Sequence, residues 1–245
     1  MPHNLISGVL MEDRVLILGD LHCEFVSKEA LDWVFNVVIP EKKPNIIVQC
    51  GDLYDFYSFS RFPRSHNITT PNMEILNGRA CAEEIWRITK KKAPKAKCYQ
   101  LLGNHCDRPK LRLVEKFPEL ESLLSIDHLW QFPGVETIHD SKQELILEIN
   151  KEVMFFMHGY RSKLGDHAKY NLYSTIVGHS HRGGVVYSTI YDHSLKNEKT
   201  IFELNVGFLG DAKSRVMDYR SQKLSSWTLG VGFIDKFGPQ FIRFR

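Results

Sequence analysis

Three short aliphatic runs, each stopping at a glycine followed by a polar residue, constrain this chain more than any other feature. Arg14 to Leu18 stops at Gly19-Asp20, Ile46 to Val48 leads to Gly51-Asp52, and Cys98 to Leu102 stops at Gly103-Asn104-His105. Runs of this kind read as buried strands that end in loops. Helix-sized stretches separate them. The first starts at Ser27, carries Ala30, Leu31, Val34, Phe35 and Val38 at three- and four-residue spacing, and is expected to close at Pro40 and Pro44. The second spans Met73 to Lys90. Alternating strands and helices argue for an α/β sheet whose ligands sit beyond the carboxyl ends of its strands.

The remainder reads as strands joined by short turns: Glu144 to Ile149, Val153 to Met157, Thr175 to Val177, Val185 to Ile190, Thr200 to Val206, Trp227 to Ile234 and Gln240 to Phe244. A second, more antiparallel sheet packed on the first is the expectation. No Ser/Gly-rich linker, low-complexity tract or repeat interrupts the chain, so residues 1–245 are expected to form one domain.

With 43% hydrophobic and 25% charged residues, the chain is neither disordered, collagen-like nor a coiled coil. Lys plus Arg number 32 against 29 acids, so anion affinity must come from local clustering rather than from a polycationic surface. The five cysteines contain no C-x-x-C pair, which argues against a disulfide framework or a cysteine zinc site. The longest apolar runs are strand-sized and the first residues carry no signal-like stretch, so a soluble, cytoplasmic protein without a membrane span is expected.

The polar residues at strand ends fall into five groups: Asp20-x-His22, Asp52-x-x-Asp55, Asn104-His105, His158, and His179-x-His181. Each adjoins a glycine, which lets the backbone turn sharply and aim a side chain into a shared cleft. The two alternating pairs would present both side chains on one face if extended. Carboxylates and imidazoles without an obligatory thiolate suit borderline divalent ions such as Mn²⁺, Fe²⁺ or Zn²⁺. Even seven ligands drawn from these groups exceed what one such ion takes. With one carboxylate shared they suit two ions about 3.5–4 Å apart, an arrangement used in phosphoryl chemistry.

These residues resemble a family. GDLH at 19–22, GDLYD at 51–55, GNH at 103–105, HG at 158–159 and GHSH at 178–181 are similar, in order, to the five blocks of the calcineurin-like metallophosphoesterases. The resemblance implies an α/β, four-layer α/β/β/α sandwich of two mixed sheets with a dinuclear metal site at its strand C-terminal edge. It implies Asp20, His22 and His181 on one metal, Asn104, His158 and His179 on the other, and Asp52 between them. A hydroxide between the metals would attack phosphorus, and His105, not itself a ligand, would protonate the leaving oxygen. Asp55 would either orient a histidine or cap a turn. Mn²⁺ leads as the cofactor, with Fe²⁺, Zn²⁺, Ni²⁺ and Mg²⁺ as alternatives.

One departure stands out, for the family commonly has an acid directly after GNH and this chain has Cys106, followed by Asp107. Asp107 would cap the next helix instead. Cys23 and Cys106 adjoin site residues and read either as buried spectators or as points where oxidation reaches the activity.

Substrate choice falls to two segments and one arginine. Phe56 to Pro71 interleaves aromatics with cations, and Phe59, Arg61, Phe62 and Arg64 suit single-stranded nucleic acid or a nucleotide. The alternative is a loop whose aromatics cover the core. Arg87 to Lys97 is strongly basic and reads as the solvated end of a helix. Arg182, beside His181, is a candidate phosphate contact. Tyr219, Trp227 and Gly232-Phe233 resemble the tail of phage and bacterial members. The expected activity is that of a phosphodiesterase or nuclease, with a phosphomonoesterase as alternative and a metal-bound protein scaffold as the third reading.

Overall fold

The computed structural model describes residues 12–61, 69–119, 126–139, 144–192, 196–211, 213–214 and 227–245. Strands β1 (Val15–Leu18), β2 (Ile46–Cys50), β3 (Lys97–Leu101) and β4 (Val135–Ile138) run parallel in one sheet. Their register pairs Leu18 with Gln49 and Cys50 with Leu101, so the three glycine-polar turns leave the sheet side by side.

The second sheet holds β5 (Leu145–Ile149), β6 (Glu152–Met157), β7 (Ser174–Val177), β8 (Gly183–Asp192) and β9 (Asn197–Val206), in the order β5-β6-β7-β9-β8. It too is mixed, with β6, β7 and β9 parallel. The last strands, β10 (Gly230–Asp235) and β11 (Gly238–Arg243), do not join it as expected. They extend the first sheet antiparallel, giving the order β11-β10-β1-β2-β3-β4. Continuous apolar runs fit either sheet, and only pairing against Val15–Ile17 decides between them. The strand β4 also escaped the sequence reading, because VETI is too short and too polar to stand out.

The parallel strands are buried on both faces. Val15, Ile17, Val48 and Cys50 point between the sheets, where they meet Phe156, Ile176, Leu204 and Val206. Leu16, Leu18 and Ile47 point outward, under a helical layer that contributes Ala30, Val34, Phe35, Ile85 and Trp86. That layer comprises α1 (Lys28–Trp33), α2 (Ile39–Lys42) and α3 (Pro71–Lys92). Ser27 caps α1 and Thr70 caps α3, each accepting the N–H three residues on.

Pro40 does not end the first helix. A wider turn over Val34–Val38 lets Ile39 N–H reach Val34 O, and that widening accommodates the proline ring. The chain leaves the helix at Lys43, whose φ is 47°, before Pro44. At the end of α3, Arg87 pairs with Glu84 and Lys90 donates to Gly134 O, as expected of a solvated basic terminus. Two short helices complete the layers, α4 (Arg108–Lys116) after the third turn and α5 (Asp166–Asn171) against the outer face of β7 and β9. Among the described residues no helix is long and apolar enough to cross a membrane.

Candidate metal centre

The carboxyl ends of β1, β2 and β3 meet those of β6 and β7 along one edge of the sandwich, and the five polar groups converge there. Ligand atoms of Asp20, His22 and His181 lie within 4.8 Å of one another, and so do those of Asp20, Asp52 and His158. His181 Nε2 is 3.3 Å from both Asp20 Oδ1 and His22 Nε2. His158 Nε2 is 3.2 Å from Asp52 Oδ2 and 3.0 Å from Asn104 Oδ1, and Asn104 Oδ1 is also 3.0 Å from His179 Nδ1. Asp20, His22 and Asp52 are buried, whereas Asn104 is exposed and His179 half-buried, so the cluster opens to solvent on that side.

The backbone achieves this at a cost. Asp20, His22, Asp52, His179 and His181 all have φ between 48° and 63°, left-handed values that L residues avoid. The Asp20/His22 and His179/His181 pairs are therefore not extended, and it is the successive left-handed turns that bring their side chains together. Each such residue costs of order 1–3 kcal/mol, concentrated here at the site. The neighbouring glycines serve close approach. A side chain at Gly103 would strike Asp52, and one at Gly51 would strike the His158 ring.

Charge is distributed as cation binding requires. Burial opposes ionisation of Asp52, but His105 and His158 hold its carboxyl well below the ordinary range. Burial would also lower His158, yet the adjacent Asp52 carboxylate lifts it to about 9, a proton that a cation would replace. Burial, with His22 beside the one and His158 beside the other, keeps His181 and His179 below the usual imidazole range, in the neutral form that coordinates.

The residues present fit a pair of divalent ions. His22 Nδ1 is 3.0 Å from the Asp55 carboxylate, at Oδ2, and its Nε2 faces His181 Nε2. A separation of about 3.3–3.6 Å is what tetrahedral geometry gives two ligands on bonds of about 2.0–2.2 Å. The His181 ring is held by stacking on Phe208 and by the edge of Trp227, with centroids 5.1 and 4.3 Å away.

His105 lies beside this donor set. Its N–H donates to Asp52 Oδ1 at 2.9 Å, its Nδ1 is 3.1 Å from Asp55 O, and its Nε2 accepts from Arg108 Nη2 at 2.8 Å. Arg108 also donates through Nη1 to Asp55 O and Oδ1, at 2.9 and 3.2 Å. The sequence reading missed Arg108, which opens the helix following the G-N-H block. Cys106, at the position of the family's acid, is buried and accepts from Gly103 N–H at 3.3 Å. Asp107 takes the N-cap position of α4 without a capping side-chain bond, contrary to expectation.

A second omission is a buried network behind the site. Glu203 accepts from the N–H groups of Gly165, His167 and Ala168 and from Asn205 Nδ2, at 2.7–3.2 Å. His167 Nε2 accepts from Tyr160 and Arg161 N–H, just beyond His158, while Ser180, between His179 and His181, donates to Asn205. Two segments carrying cluster histidines are thus tied together. A carboxylate inside a strand carried no signal in the sequence.

The substrate candidates are less concentrated. Phe59 packs on the core with its ring edge-on to Phe56, 5.9 Å away, as the alternative reading of that loop held. Arg61 is exposed. Phe62 and Arg64 lie outside the described residues, as does Tyr219. Arg182 directs Nη1 to Ser162 O at 3.3 Å.

Two mixed sheets meet at a carboxylate–imidazole cluster on their shared strand edge, a candidate metal site. The family model for calcineurin-like phosphoesterases matches residues 13–206, and the chain belongs to that family. It is therefore a metal-dependent phosphoric ester hydrolase of a family that works with two metals. No curated protein matches the sequence. Among solved structures, an archaeal phosphodiesterase described as novel is 16% identical, with 94% of this chain and 99% of that chain covered and a TM-score of 0.46.

Proposed function

We propose that the chain, acting as one domain, hydrolyses phosphodiesters, with Asp20, His22 and His181 holding one divalent ion, Asn104, His158 and His179 the other, and Asp52 bridging them. The convergence of these donors at one buried edge is the observation that carries the reading. Asp52 suits the bridge because it is charge-coupled to both His22 and His158. The ions, when bound, supply positive charge to the phosphate and make a water acidic enough to act near neutral pH. Manganese is the proposed metal, and the cytoplasm, where five unpaired thiols stay reduced, the proposed compartment.

The protein's own groups complete the reaction. Asp55 fixes His22 and, through its carbonyl, keeps His105 Nδ1 occupied, so His105 exchanges its working proton at Nε2. Arg108 covers that nitrogen at rest and turns to the phosphate when substrate arrives. Once uncovered, His105 Nε2 takes up a proton from solvent and gives it to the leaving oxygen. Among the described residues Arg108 is the cationic side chain that touches the cluster, and Asp55 already offsets part of its charge. That balance suits a singly charged diester better than a doubly charged monoester. Two residues beyond His158, exposed Tyr160 lies against Arg161, which also reaches Tyr170, an aromatic and guanidinium surface fit for a base next to the scissile phosphate.

The test is a metal-by-substrate panel: Mn²⁺, Zn²⁺, Mg²⁺ and Ni²⁺ against bis-p-nitrophenyl phosphate, p-nitrophenyl phosphate and single- and double-stranded oligonucleotides. Diester hydrolysis with Mn²⁺ is expected, and Tyr160→Ala should raise KM for oligonucleotides while sparing the small diester. Much faster hydrolysis of p-nitrophenyl phosphate would replace this reading with the monoesterase.

A further inference from the structure

We propose, resting on the phosphoesterase reading above, that Glu74 is a positioning residue of the centre, whose buried carboxylate holds the turn from which Asp55 reaches His22, His105 and Arg108. Nothing in the chemistry described so far uses this acid.

A carboxylate taken out of water is costly unless hydrogen bonds there answer its charge. Glu74 lies in the first turn of α3 and is 1% exposed. Its side chain reaches across to the loop after β2, where Oε1 accepts from Tyr57 N–H and Oε2 accepts from Ser58 N–H, the second bond at 2.8 Å. Both oxygens are in use. Tyr57 and Ser58 open the short helical turn Tyr57–Phe59, and the first N–H groups of such a turn have no acceptor within it. The carboxylate therefore takes the place of a preceding turn.

What this tether holds is the backbone leaving Asp55. Phe56, between Asp55 and Tyr57, has a φ of 52°, a left-handed value that a bulky L residue keeps only where its surroundings impose it. Its ring is fixed on one side by Tyr54 and Trp130, with centroids 5.2 and 6.0 Å away. Glu74 fixes the other side, through the two N–H groups that follow. Asp55 in turn places Oδ2 3.0 Å from His22 Nδ1, its carbonyl 3.1 Å from His105 Nδ1, and both its carbonyl and Oδ1 under Arg108. A turn that slips at Tyr57 and Ser58 moves all three contacts together. The bonds of Glu74 itself involve no proposed metal ligand.

The charge on Glu74 gives the tether a signature of its own. Burial lifts its carboxyl to about 7, the Asp55 carboxylate across the turn adds to that, and the Ser58 and Tyr57 N–H groups hold it down. On the far side of Asp55 stand Arg108 and His105. Both tether bonds are thus complete when Glu74 is ionised, above about 7, and are impaired as pH falls through that value. Glu74→Gln offers one oxygen where two are needed and turns an N–H group toward a donor, so it resembles the protonated acid at every pH.

The experiment compares wild type with Glu74→Gln, both loaded with Mn²⁺, in metal content and in kcat for bis-p-nitrophenyl phosphate from pH 6 to pH 9. The expected result is full metal content in both and a kcat lower in the variant by about tenfold at pH 8.5, the ratio closing toward one at pH 6. Titration of metal-bound water is common to both proteins and cancels in that ratio, whereas a merely structural role would give a ratio independent of pH. Glu74→Asp, which keeps the charge on a shorter stem, should recover part of the loss. In Mg²⁺-loaded wild type the amide resonances of Tyr57 and Ser58 should shift together with a midpoint near 7, and this measurement carries the test if Glu74→Gln misfolds. An active wild type with a pH-independent ratio, or amide resonances that do not titrate between pH 6 and pH 9, would overturn the proposal. A wild type without turnover for any phosphoester would instead overturn the functional reading, while the amide titration still reports the tether.

Discussion

His22 and His181 present Nε2 to Nε2 at 3.3 Å, with both side chains buried. Asp55 Oδ2 lies 3.0 Å from His22 Nδ1 on the other side of that ring, and the two rings with Asp20 form a nest of donors that a cation completes. Folded without metal, the protein keeps these groups desolvated and strained. Metal should therefore stabilise the fold, by about 2.7 kcal/mol at a free concentration one hundred times Kd. Thermal melts with excess chelator and then with increasing Mn²⁺ should show a rising Tm. A Tm independent of both would argue against metal binding at this cluster.

His105 touches Asp52 and Asp55 but belongs to neither of the donor sets assigned to metal. His105→Ala should keep the metal content and lower turnover by roughly 10² to 10⁴, most for esters with poor leaving groups. Metal analysis alongside kcat for p-nitrophenyl and alkyl diesters separates the two effects. Loss of metal in this variant would make His105 a ligand.

Arg108 spans His105 Nε2 and both oxygens of Asp55's local surface, the carbonyl and Oδ1. Arg108→Gln should weaken inhibition by inorganic phosphate and raise KM at least tenfold, with Arg108→Lys restoring only part because an ammonium cannot span the same atoms. Unchanged phosphate inhibition in both variants would leave Arg108 as a structural contact only.

The convergence of the cluster side chains was legible because polar residues directly after buried strands are delivered to one sheet edge. Asp20, His22, Asp52, Asn104, His158, His179 and His181 stand beside glycines that the chain needs for close approach, and that pairing is visible in one dimension. Arg108 and Glu203 were not, because their roles depend on which turn of α4 faces the cluster and on a strand interior meeting a helix end. The sheet membership of β10 and β11 was hidden for a similar reason: apolar alternation fixes a face, not a neighbour. Phe59 shows the converse, since an aromatic beside a basic residue reads the same whether its ring faces solvent or the core.

The Glu203 network gives a pH signature away from the metals. Burial opposes its charge, but His167, the N–H groups at the start of α5 and Asn205 bring its carboxyl down to about 2 from an ordinary 4.5. Because the folded value lies below the unfolded one, this stabilisation is fully present above about 4.5 and is lost as pH falls through about 2. Its size is about 3 kcal/mol at 1.36 kcal/mol per unit. Urea melts from pH 7 to pH 2 should show Glu203→Gln less stable at neutral pH and with a shallower acid slope. An identical slope in both proteins would remove Glu203 from the account.

The most direct measurement is the metal stoichiometry and diester turnover of wild type against Asp52→Asn, both loaded with Mn²⁺ and dialysed. Asn keeps the shape of Asp52 and removes the charge that two neighbouring cations require. The expected result is two metals per chain and diester hydrolysis in wild type, with occupancy and turnover both collapsing in the variant. A variant that retains two metals and full activity would contradict the dinuclear centre at these residues.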